Sequence, residues 1–220
     1  MLKNIQSKPR TFSSWLNHNY MWMITGLLFL FLLVAFLAPI FMKLGLMQPA
    51  KFIYWIYEAF CHQLTFRSWF LFGQQTFYPR ELAGITNIIS YENAIGDYQL
   101  NLKIAREFLG NDVLGYKVAL CQRDVAIYGS LLLCGLIFQI SGKKIKPIPW
   151  YLWIILGLLP IGVDGITQFG GLGISFLSWL PVRESTPLLR TITGLLFGIN
   201  TGLFMFPMVE ENMKQSNNRE

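Results

Sequence analysis

Two cysteines, a histidine and several charged residues are the groups in this chain that could do chemistry. Cys61 and His62 are adjacent, and Cys121 closely precedes Arg123 and Asp124. Thiol and imidazole groups suit zinc and other soft or borderline metals, and a thiolate is also a nucleophile. Arginine binds carboxylate and phosphate groups through paired hydrogen bonds. These residue types allow metal, thiol or anion chemistry.

The cysteines have three open interpretations. Cys61, His62 and Cys121 are weak candidates for metal ligands, because the chain has no CxxC or HxxxH spacing. A disulfide between Cys61 and Cys121 is the second interpretation, and polar packing is the third. For nucleophilic catalysis, Cys121 with His62 as its base is easier than Cys61 with His62, since neighbouring side chains on a helix point in different directions. Cys134 lies within an apolar segment and is interpreted as a packing residue.

Charged residues also lie beside long apolar segments. Arg190 falls in the first turns of the last segment, where the helix dipole disfavours a cation, so it needs a carboxylate or an anionic ligand. Asp124 and Asp164 are the predicted sources of this countercharge, either in a functional site or in a network that only locks helices together. The predicted site residues are Cys61, His62, Gln63, Arg67, Cys121, Arg123, Asp124, Tyr128, Asp164, Gln168, Arg183 and Arg190.

Four segments without formal charge must position these residues, namely 20–42, 125–142, 147–163 and 191–209. Each is long enough, or nearly so, to cross a bilayer as a helix, which takes about 20 residues. We therefore predict an all-α integral membrane protein, a single multi-pass domain with four transmembrane helices, an interfacial or re-entrant helix and an outer loop. The predicted spans are about 20–42, 119–142, 147–168 and 188–209, and the predicted outer loop is 79–117.

Residues 52–73 form a further apolar stretch, which we interpret as the interfacial or shallow re-entrant helix. As a fifth span, this stretch would bury Glu58, His62 and Arg67 in the hydrocarbon, at a considerable cost in free energy. It would also move the lysines at 143–146 to the outer side. Both consequences favour the interfacial position.

Basic clusters orient the predicted spans, because lysine and arginine in short loops stay on the cytoplasmic side. Lys3, Lys8 and Arg10 precede the first span, and the lysines at 143–146 separate the second from the third. Both termini should therefore be cytoplasmic in a cell membrane protein, and the predicted site residues should meet at the extracytoplasmic interface. The glycine-rich segment 165–187 should form a loop or re-entrant turn there.

Composition excludes several classes of protein. Of the 220 residues, 53% are hydrophobic and only 14% are charged, too few for a soluble globule of this size. The net charge of +6 does not indicate nucleic-acid binding, because the basic residues do not form an aromatic-interleaved patch. Membrane lipids are the expected partners. Gly194, Gly198 and Gly202 repeat at a spacing that favours close helix packing, within the chain or with a partner helix.

Four strings occur in order along the chain: CHQLTFRSWFLFG (61–73), GYKVALCQRDVAIYGSLL (115–132), VDGITQFGG (163–171) and RESTPLLRTITGLLFG (183–198). Over roughly residues 50–205 the chain resembles domain of unknown function 2085, an uncharacterised family of predicted membrane proteins. The resemblance implies a multi-pass membrane protein and carries no assigned activity. It covers the predicted site residues and adds Ser68 and Ser185.

Three functional hypotheses follow. The first is recognition or processing of an anionic lipid or lipid-linked substrate at the extracytoplasmic interface, because several arginines lie near the aspartates, cysteines and histidine. The second is a non-enzymatic membrane subunit or small transporter that uses the glycine ridge as its partner or gating surface. The third is a metal or redox site at Cys61, His62 and Cys121.

Overall fold

Three helices are long and apolar enough to cross a membrane. In a computed structural model of the chain, which describes residues 12–168 and 183–217, these helices are α1 (Phe12–Lys43), α5 (Gln122–Ile140) and α8 (Pro187–Asn217). A helix of about 20 residues spans roughly 30 Å, the thickness of the hydrocarbon core. The protein is therefore a mostly helical membrane protein with three helices of membrane-spanning length among its described residues.

The outer faces of these helices carry exposed apolar side chains. Leu30 on α1, Ile137 on α5 and Leu188 on α8 are each about half exposed or more. Contiguous exposed apolar surface of this kind is stable only when another apolar phase covers it. These faces suit contact with lipid.

A row of glycines brings α8 close to α5. A Cβ atom at Gly194, Gly198 or Gly202 would lie less than 3.0 Å from an atom of α5, between Arg123 and Cys134. Small residues allow two helices to pack closely when no side chain separates their backbones. The glycine ridge is thus an internal packing surface, and a further partner helix at the ridge stays a prediction.

A shorter apolar helix, Trp150–Ile166, packs against α8. It comprises α6 (Trp150–Leu152), a π-helical stretch (Trp153–Leu158) and α7 (Leu159–Ile166). Pro160 explains the π-helical stretch, because proline has no amide hydrogen and its ring crowds the carbonyl group four residues earlier. This helix begins at Trp150 rather than at residue 147, and the fourth crossing stays a prediction.

The prediction of an all-α fold is only partly correct: the described residues are mostly helical, but they also form a small antiparallel sheet. Its strands are β1 (Ser68–Leu71), β2 (Gly110–Asn111) and β3 (Gly115–Cys121), in the spatial order β1, β3, β2. The predicted second span begins at residue 119, but residues 119–121 end β3, and α5 starts at Gln122. A short apolar run fits a buried strand as well as a helix. Pairing with β1 decides the outcome by satisfying the backbone groups of β3.

The helix predicted over residues 52–73 is also only partly correct. Helix α2 (Met47–Tyr57) ends before the predicted site residues, and the chain then continues through a 3₁₀ turn (Thr65–Arg67) into β1. Tyr57 anchors α2 to α1, since its hydroxyl donates to the carbonyl oxygen of Phe31 and the two rings stack at 4.9 Å. The interfacial position of α2 stays a prediction.

The segment predicted as the outer loop is ordered. It contains α3 (Tyr91–Ile95) and α4 (Leu102–Glu107), as well as β2 and the start of β3. The Asn101 side chain caps α4 by accepting hydrogen bonds from the first backbone amides of the helix. Two earlier predictions lie outside the described residues: the basic cluster of Lys3, Lys8 and Arg10, and most of the loop at 165–187.

Candidate functional site

Four parts of the fold meet at one end of the helices. They are the segment between α2 and β1, the junction of β3 with α5, the C-terminal end of α7, and the segment that leads into α8. A cavity of about 200 Å³ lies among them, and its lining includes Phe60 and Leu64. The other lining residues are eight of the twelve predicted site residues: Cys61, His62, Gln63, Arg67, Cys121, Arg123, Asp124 and Arg190.

The sheet positions the second cysteine. Ser68 of β1 is the register partner of Cys121, the last residue of β3. The buried Gln122 side chain then donates from Nε2 to the carbonyl oxygen of Ser68 at 3.1 Å, at the first residue of α5. Strand pairing and this hydrogen bond therefore hold Cys121 and the start of α5 beside the segment that carries Cys61.

The two thiols lie side by side and are not bonded to each other. The Cys121 amide donates to Cys61 Sγ at 3.3 Å, and the Cys121 thiol donates to Asp124 Oδ2 at 3.1 Å. Cys61 is only 7% exposed, whereas Cys121 is partly exposed. The hydrogen bond with the Cys121 side chain, then burial, and also the nearby Asp124 carboxylate, raise the pKa of the Cys61 thiol.

The metal-ligand set differs from the predicted one. Cys61, Cys121 and Asp124 offer ligand atoms within 4.8 Å of one another, so Asp124 takes the place predicted for His62. The exposed His62 lines the cavity but does not belong to this group. A site with two thiolates and one carboxylate suits zinc by ligand type. Three arginines line the same cavity, however, and their positive charge opposes a metal ion.

Asp164, at the end of α7, is the centre of one ionic network. Its side chain is buried and forms ion pairs with Arg123 of α5 and with Arg183, the latter at 3.2 Å. The Ser185 hydroxyl donates to Asp164 Oδ2 at 3.0 Å. The network links α5, α7 and the segment before α8, which fits the expectation that intramembrane charges are paired.

Glu184 is the centre of a second network, and the sequence patterns did not single it out. Arg67 pairs with its carboxylate at 2.9 Å, and the 2% exposed Arg190 pairs with the same oxygen. Arg190 also donates to the carbonyl oxygen of Phe66 at 3.3 Å and to Gln168 Oε1 at 3.4 Å. The predicted carboxylate partners of Arg190, Asp124 and Asp164, are therefore wrong.

Lys117 is a second residue that the sequence patterns did not indicate. Its fully buried amine donates to the carbonyl oxygens of Gln63 at 2.8 Å and Arg106 at 2.5 Å. The Tyr54 hydroxyl donates to the Lys117 carbonyl oxygen at 2.5 Å, and Gln63 Nε2 donates to the Tyr54 carbonyl oxygen at 2.7 Å. This ring of hydrogen bonds fixes the segment that carries Cys61. Burial lowers the pKa of Lys117 to about 7.

Four predicted site residues do not line the cavity. Asp164 and Gln168 contact lining arginines, and Arg183 is connected through Asp164. Tyr128 lies one turn further along α5, where its ring packs edge-on against Phe31 at 4.8 Å. The structure therefore joins eleven of the twelve predicted residues in or next to the cavity and leaves Tyr128 in the packing between α1 and α5.

Comparisons with known proteins agree with the assignment to a membrane. Residues 112–204 match the model of the family described as Predicted membrane protein (DUF2085). The chain is 29% identical over 193 residues to the uncharacterized protein MJ1492 of Methanocaldococcus jannaschii, an alignment that covers 83% of this chain and 87% of the relative. No solved structure matches. The family match omits the string at 61–73, and it confirms the resemblance of this chain to the predicted membrane proteins of domain of unknown function 2085.

Proposed function

We propose that this membrane protein binds the phosphate group of an anionic amphiphile in the cavity, and that the cavity lies at the extracytoplasmic interface. The proposed topology has four crossings of the bilayer, with both termini in the cytoplasm. In this arrangement α1 and the helix Trp150–Ile166 run outward, whereas α5 and α8 run inward. The cavity then lies where α5 and α8 begin and where α7 ends.

Contacts at the opposite end of the helices support this topology. The Tyr20 hydroxyl near the start of α1 donates to Glu210 near the end of α8 at 2.6 Å. Lys143, just after α5, pairs with the same Glu210 at 3.2 Å. The start of α1 and the ends of α5 and α8 are therefore neighbours. Because the lysines at 143–146 should be cytoplasmic, the cavity end should face away from the cytoplasm.

The positive charge around the cavity is the observation that carries the proposal. Among the described residues, four arginines share only two carboxylates: Arg67 and Arg190 share Glu184, and Arg123 and Arg183 share Asp164. Asp124 lines the cavity as a third carboxylate, so the two networks and Asp124 together carry four positive and three negative charges. The intervening segment 169–182 contains no charged residue. A bound anion would remove this excess of positive charge.

Arg123 also has an unused donor. Its buried Nε atom has no hydrogen-bond partner among the residues that the structure describes, although Arg123 lines the cavity. A buried donor without a partner costs roughly 1 to 3 kcal/mol, so an acceptor at this position stabilises the site. Phosphate supplies several acceptor oxygens, and arginine binds them in pairs.

The position of the cavity favours an amphiphile as the source of the phosphate. The cavity lies at the end of membrane-length helices, and the exposed Phe60 ring contributes to its lining. A headgroup in the cavity would leave its alkyl chain beside the apolar outer faces of the helices. Burial of each methylene group then adds about 0.8 kcal/mol to the binding free energy.

Titration calorimetry on the purified full chain in a nonionic detergent tests this proposal. The two probes are dodecyl phosphate and inorganic phosphate, each titrated into the parent, Arg67→Gln and Arg123→Gln. We expect dodecyl phosphate to bind the parent and each variant to lose roughly tenfold or more in affinity, the loss of a hydrogen bond to a charged group. Arg106→Gln is the control, because Arg106 pairs with Glu58 at 3.4 Å and does not line the cavity.

The outcomes separate the parts of the proposal. Equal affinity for dodecyl phosphate in the parent and in both cavity variants would contradict binding at this cavity. If inorganic phosphate bound as tightly as dodecyl phosphate, the amphiphile would be wrong and a free phosphate would be the ligand. Arg67 is about one-third exposed, so Arg67→Gln should retain the fold, which a melting curve checks.

A further inference from the structure

We propose that Cys61 and Cys121 form a redox-active dithiol that exchanges with disulfides, with Cys121 as the attacking thiol and Asp124 as the acceptor of its proton. This inference does not depend on phosphate binding, since it uses the sulfur atoms and not the arginine networks. The substrate class is a disulfide that reaches the cavity.

The fold brings together two cysteines that are 60 residues apart in sequence. The sheet places Cys121 at the end of β3, and the hydrogen-bonded ring around Lys117 fixes the segment of Cys61. Cys61 Sγ already accepts from the Cys121 amide at 3.3 Å, and the two sulfur atoms lie within 4.8 Å. Rotation of the side chains can therefore bring the sulfur atoms into bonding contact. Both cysteines line the cavity, where a substrate can reach them.

The two cysteines have different surroundings, which assigns their roles. Cys121 is partly exposed and its thiol donates to the Asp124 carboxylate at 3.1 Å, so Asp124 is placed to accept the proton. Cys61 is buried, so a substrate in the cavity meets Cys121 first, and Cys61 is the second thiol to react.

The exchange balances as two substitutions at sulfur. The Cys121 thiolate attacks one sulfur of the substrate disulfide, forms a mixed disulfide and releases the other sulfur as a thiolate, which takes the proton from Asp124. Cys61 then loses its proton to the Asp124 carboxylate and attacks Cys121 Sγ, which releases the second substrate thiolate, and this thiolate takes the proton from Asp124. The products are the bond between Cys61 and Cys121 and two substrate thiols. The protein loses two electrons, and the substrate disulfide gains them.

Cys134 provides an internal control. It is buried in the middle of α5, where Gly202 of α8 packs against it, and it does not line the cavity. Cys134→Ser should therefore leave the redox behaviour unchanged. The Cys134→Ser protein also lacks the third thiol, which simplifies thiol counting.

Oxidised glutathione is the probe for the test, applied to the purified full chain carrying Cys134→Ser. After acid quenching and alkylation, mass spectrometry measures each cysteine in buffers of different glutathione redox potential. We expect a reversible two-electron transition that joins Cys61 to Cys121. In Cys61→Ser the mixed disulfide should accumulate on Cys121, whereas in Cys121→Ser little should form on Cys61.

Asp124→Asn tests the proton acceptor. We expect formation of the mixed disulfide in the Cys61→Ser background to slow by about a hundredfold at neutral pH, the lower range for a general base. Raising the pH should recover the rate, because hydroxide then replaces the carboxylate as the base. If the mixed disulfide formed at the same rate with and without Asp124→Asn at every pH, the role of Asp124 would be contradicted.

Three results would overturn the dithiol itself. The first is the absence of a bond between Cys61 and Cys121 at any glutathione potential in protein whose melting curve shows it to be folded. The second is a mixed disulfide that forms on Cys61 faster than on Cys121. The third is one equivalent of zinc that co-purifies with the parent, protects both thiols from alkylation and is lost in Asp124→Asn, since the three groups would then be metal ligands.

Discussion

At both ends of the helices, carboxylates pair with basic residues from elements that are distant in sequence, but the two ends differ in their other groups. At the end opposite the cavity, Glu210 gathers Tyr20, Lys143 and Lys214, and Lys143 also lies 4.4 Å from the centre of the Tyr20 ring. At the cavity end, Asp164 and Glu184 each gather two arginines. In both places a single carboxylate ties together helices that are distant in sequence.

The difference lies in what remains after these contacts. In the group around Glu210 the cations are less buried: the Lys143 and Lys214 side chains are 16% and 64% exposed, against 2% for Arg190. The cavity end instead contains the buried Arg190, two thiols and a donor on Arg123 that has no partner in the part of the chain that the structure describes. A network that only locked helices would not need the thiols or the extra positive charge. This difference is why we propose a binding role for the cavity end and only a structural role for the Glu210 end.

Replacing the central carboxylate at each end should give the largest effect and tests the difference between the two ends. Glu184→Gln leaves the 2% exposed Arg190 without a charged partner. We expect it to lower the free energy of unfolding by about 3 to 5 kcal/mol, as for other broken buried ion pairs. Glu210→Gln should cost less, about 1 to 3 kcal/mol, because neither of its cationic partners is as buried as Arg190: the Lys143 and Lys214 side chains are 16% and 64% exposed. Unfolding in detergent with added SDS measures both, and equal losses would contradict the difference.

The seam between α5 and α8 connects the two ends. Adding a single methyl group in this seam tests how closely the two helices pack. At Gly198 a Cβ atom would clash with the Ser130 hydroxyl and the Ile127 carbonyl oxygen. We expect Gly198→Ala to lower the free energy of unfolding by about 1 to 3 kcal/mol. Gly129→Ala on α5 is the matched control, since its added methyl group meets no atom within 4 Å.

Light scattering on the same variants separates packing within the chain from packing with a partner. Destabilisation of Gly198→Ala with an unchanged oligomeric state would support the internal seam. A change in oligomeric state without loss of monomer stability would instead support the glycine ridge as a partner surface.

The pH dependence of stability should also differ between the ends. The pKa of Lys117 is about 7 in the folded protein, against an ordinary value of 10.5. Between these values the unfolded state binds more protons than the folded state, so stability should rise with pH, by at most about 1.4 kcal/mol per unit. Lys117→Met should remove this slope between pH 7.5 and pH 9.5, which SDS unfolding at several pH values measures. The same slope in the parent and in Lys117→Met would contradict it.

Charge patterning was enough to predict most of the architecture and the cluster. The charge-free segments coincide with α1, α5, Trp150–Ile166 and α8, because apolar runs of this length have few other stable environments. Positions at the ends of those segments then meet if the helices alternate in direction. This reasoning places Cys121, Asp164 and Arg190 in one group from the sequence alone.

The structure of β3 and the burial of Lys117 and Glu184 could not be predicted from the sequence, because they depend on contacts with residues distant in the chain. The run from Val118 to Leu120 fits either a helix start or a buried strand, and only pairing with the distant β1 decides between them. Lys117 lies beside this run, where a lysine normally marks a solvated end and not a buried amine held by carbonyl groups. Glu184 lies in a short polar segment before α8, and its burial depends on Arg67, which is 117 residues away.

Sided labelling of Cys121 tests most directly whether an extracytoplasmic cavity binds the amphiphile. The protein would carry Cys61→Ser and Cys134→Ser, and a membrane-impermeant maleimide would be added to sealed right-side-out vesicles with and without dodecyl phosphate. We expect Cys121 to react from the outside, and we expect dodecyl phosphate below its critical micelle concentration to slow this reaction. In a separate control protein, the cysteine introduced by Lys144→Cys should react only in inverted vesicles. Labelling of Cys121 only from the cytoplasmic side, or at a rate that dodecyl phosphate does not change, would contradict the proposed site.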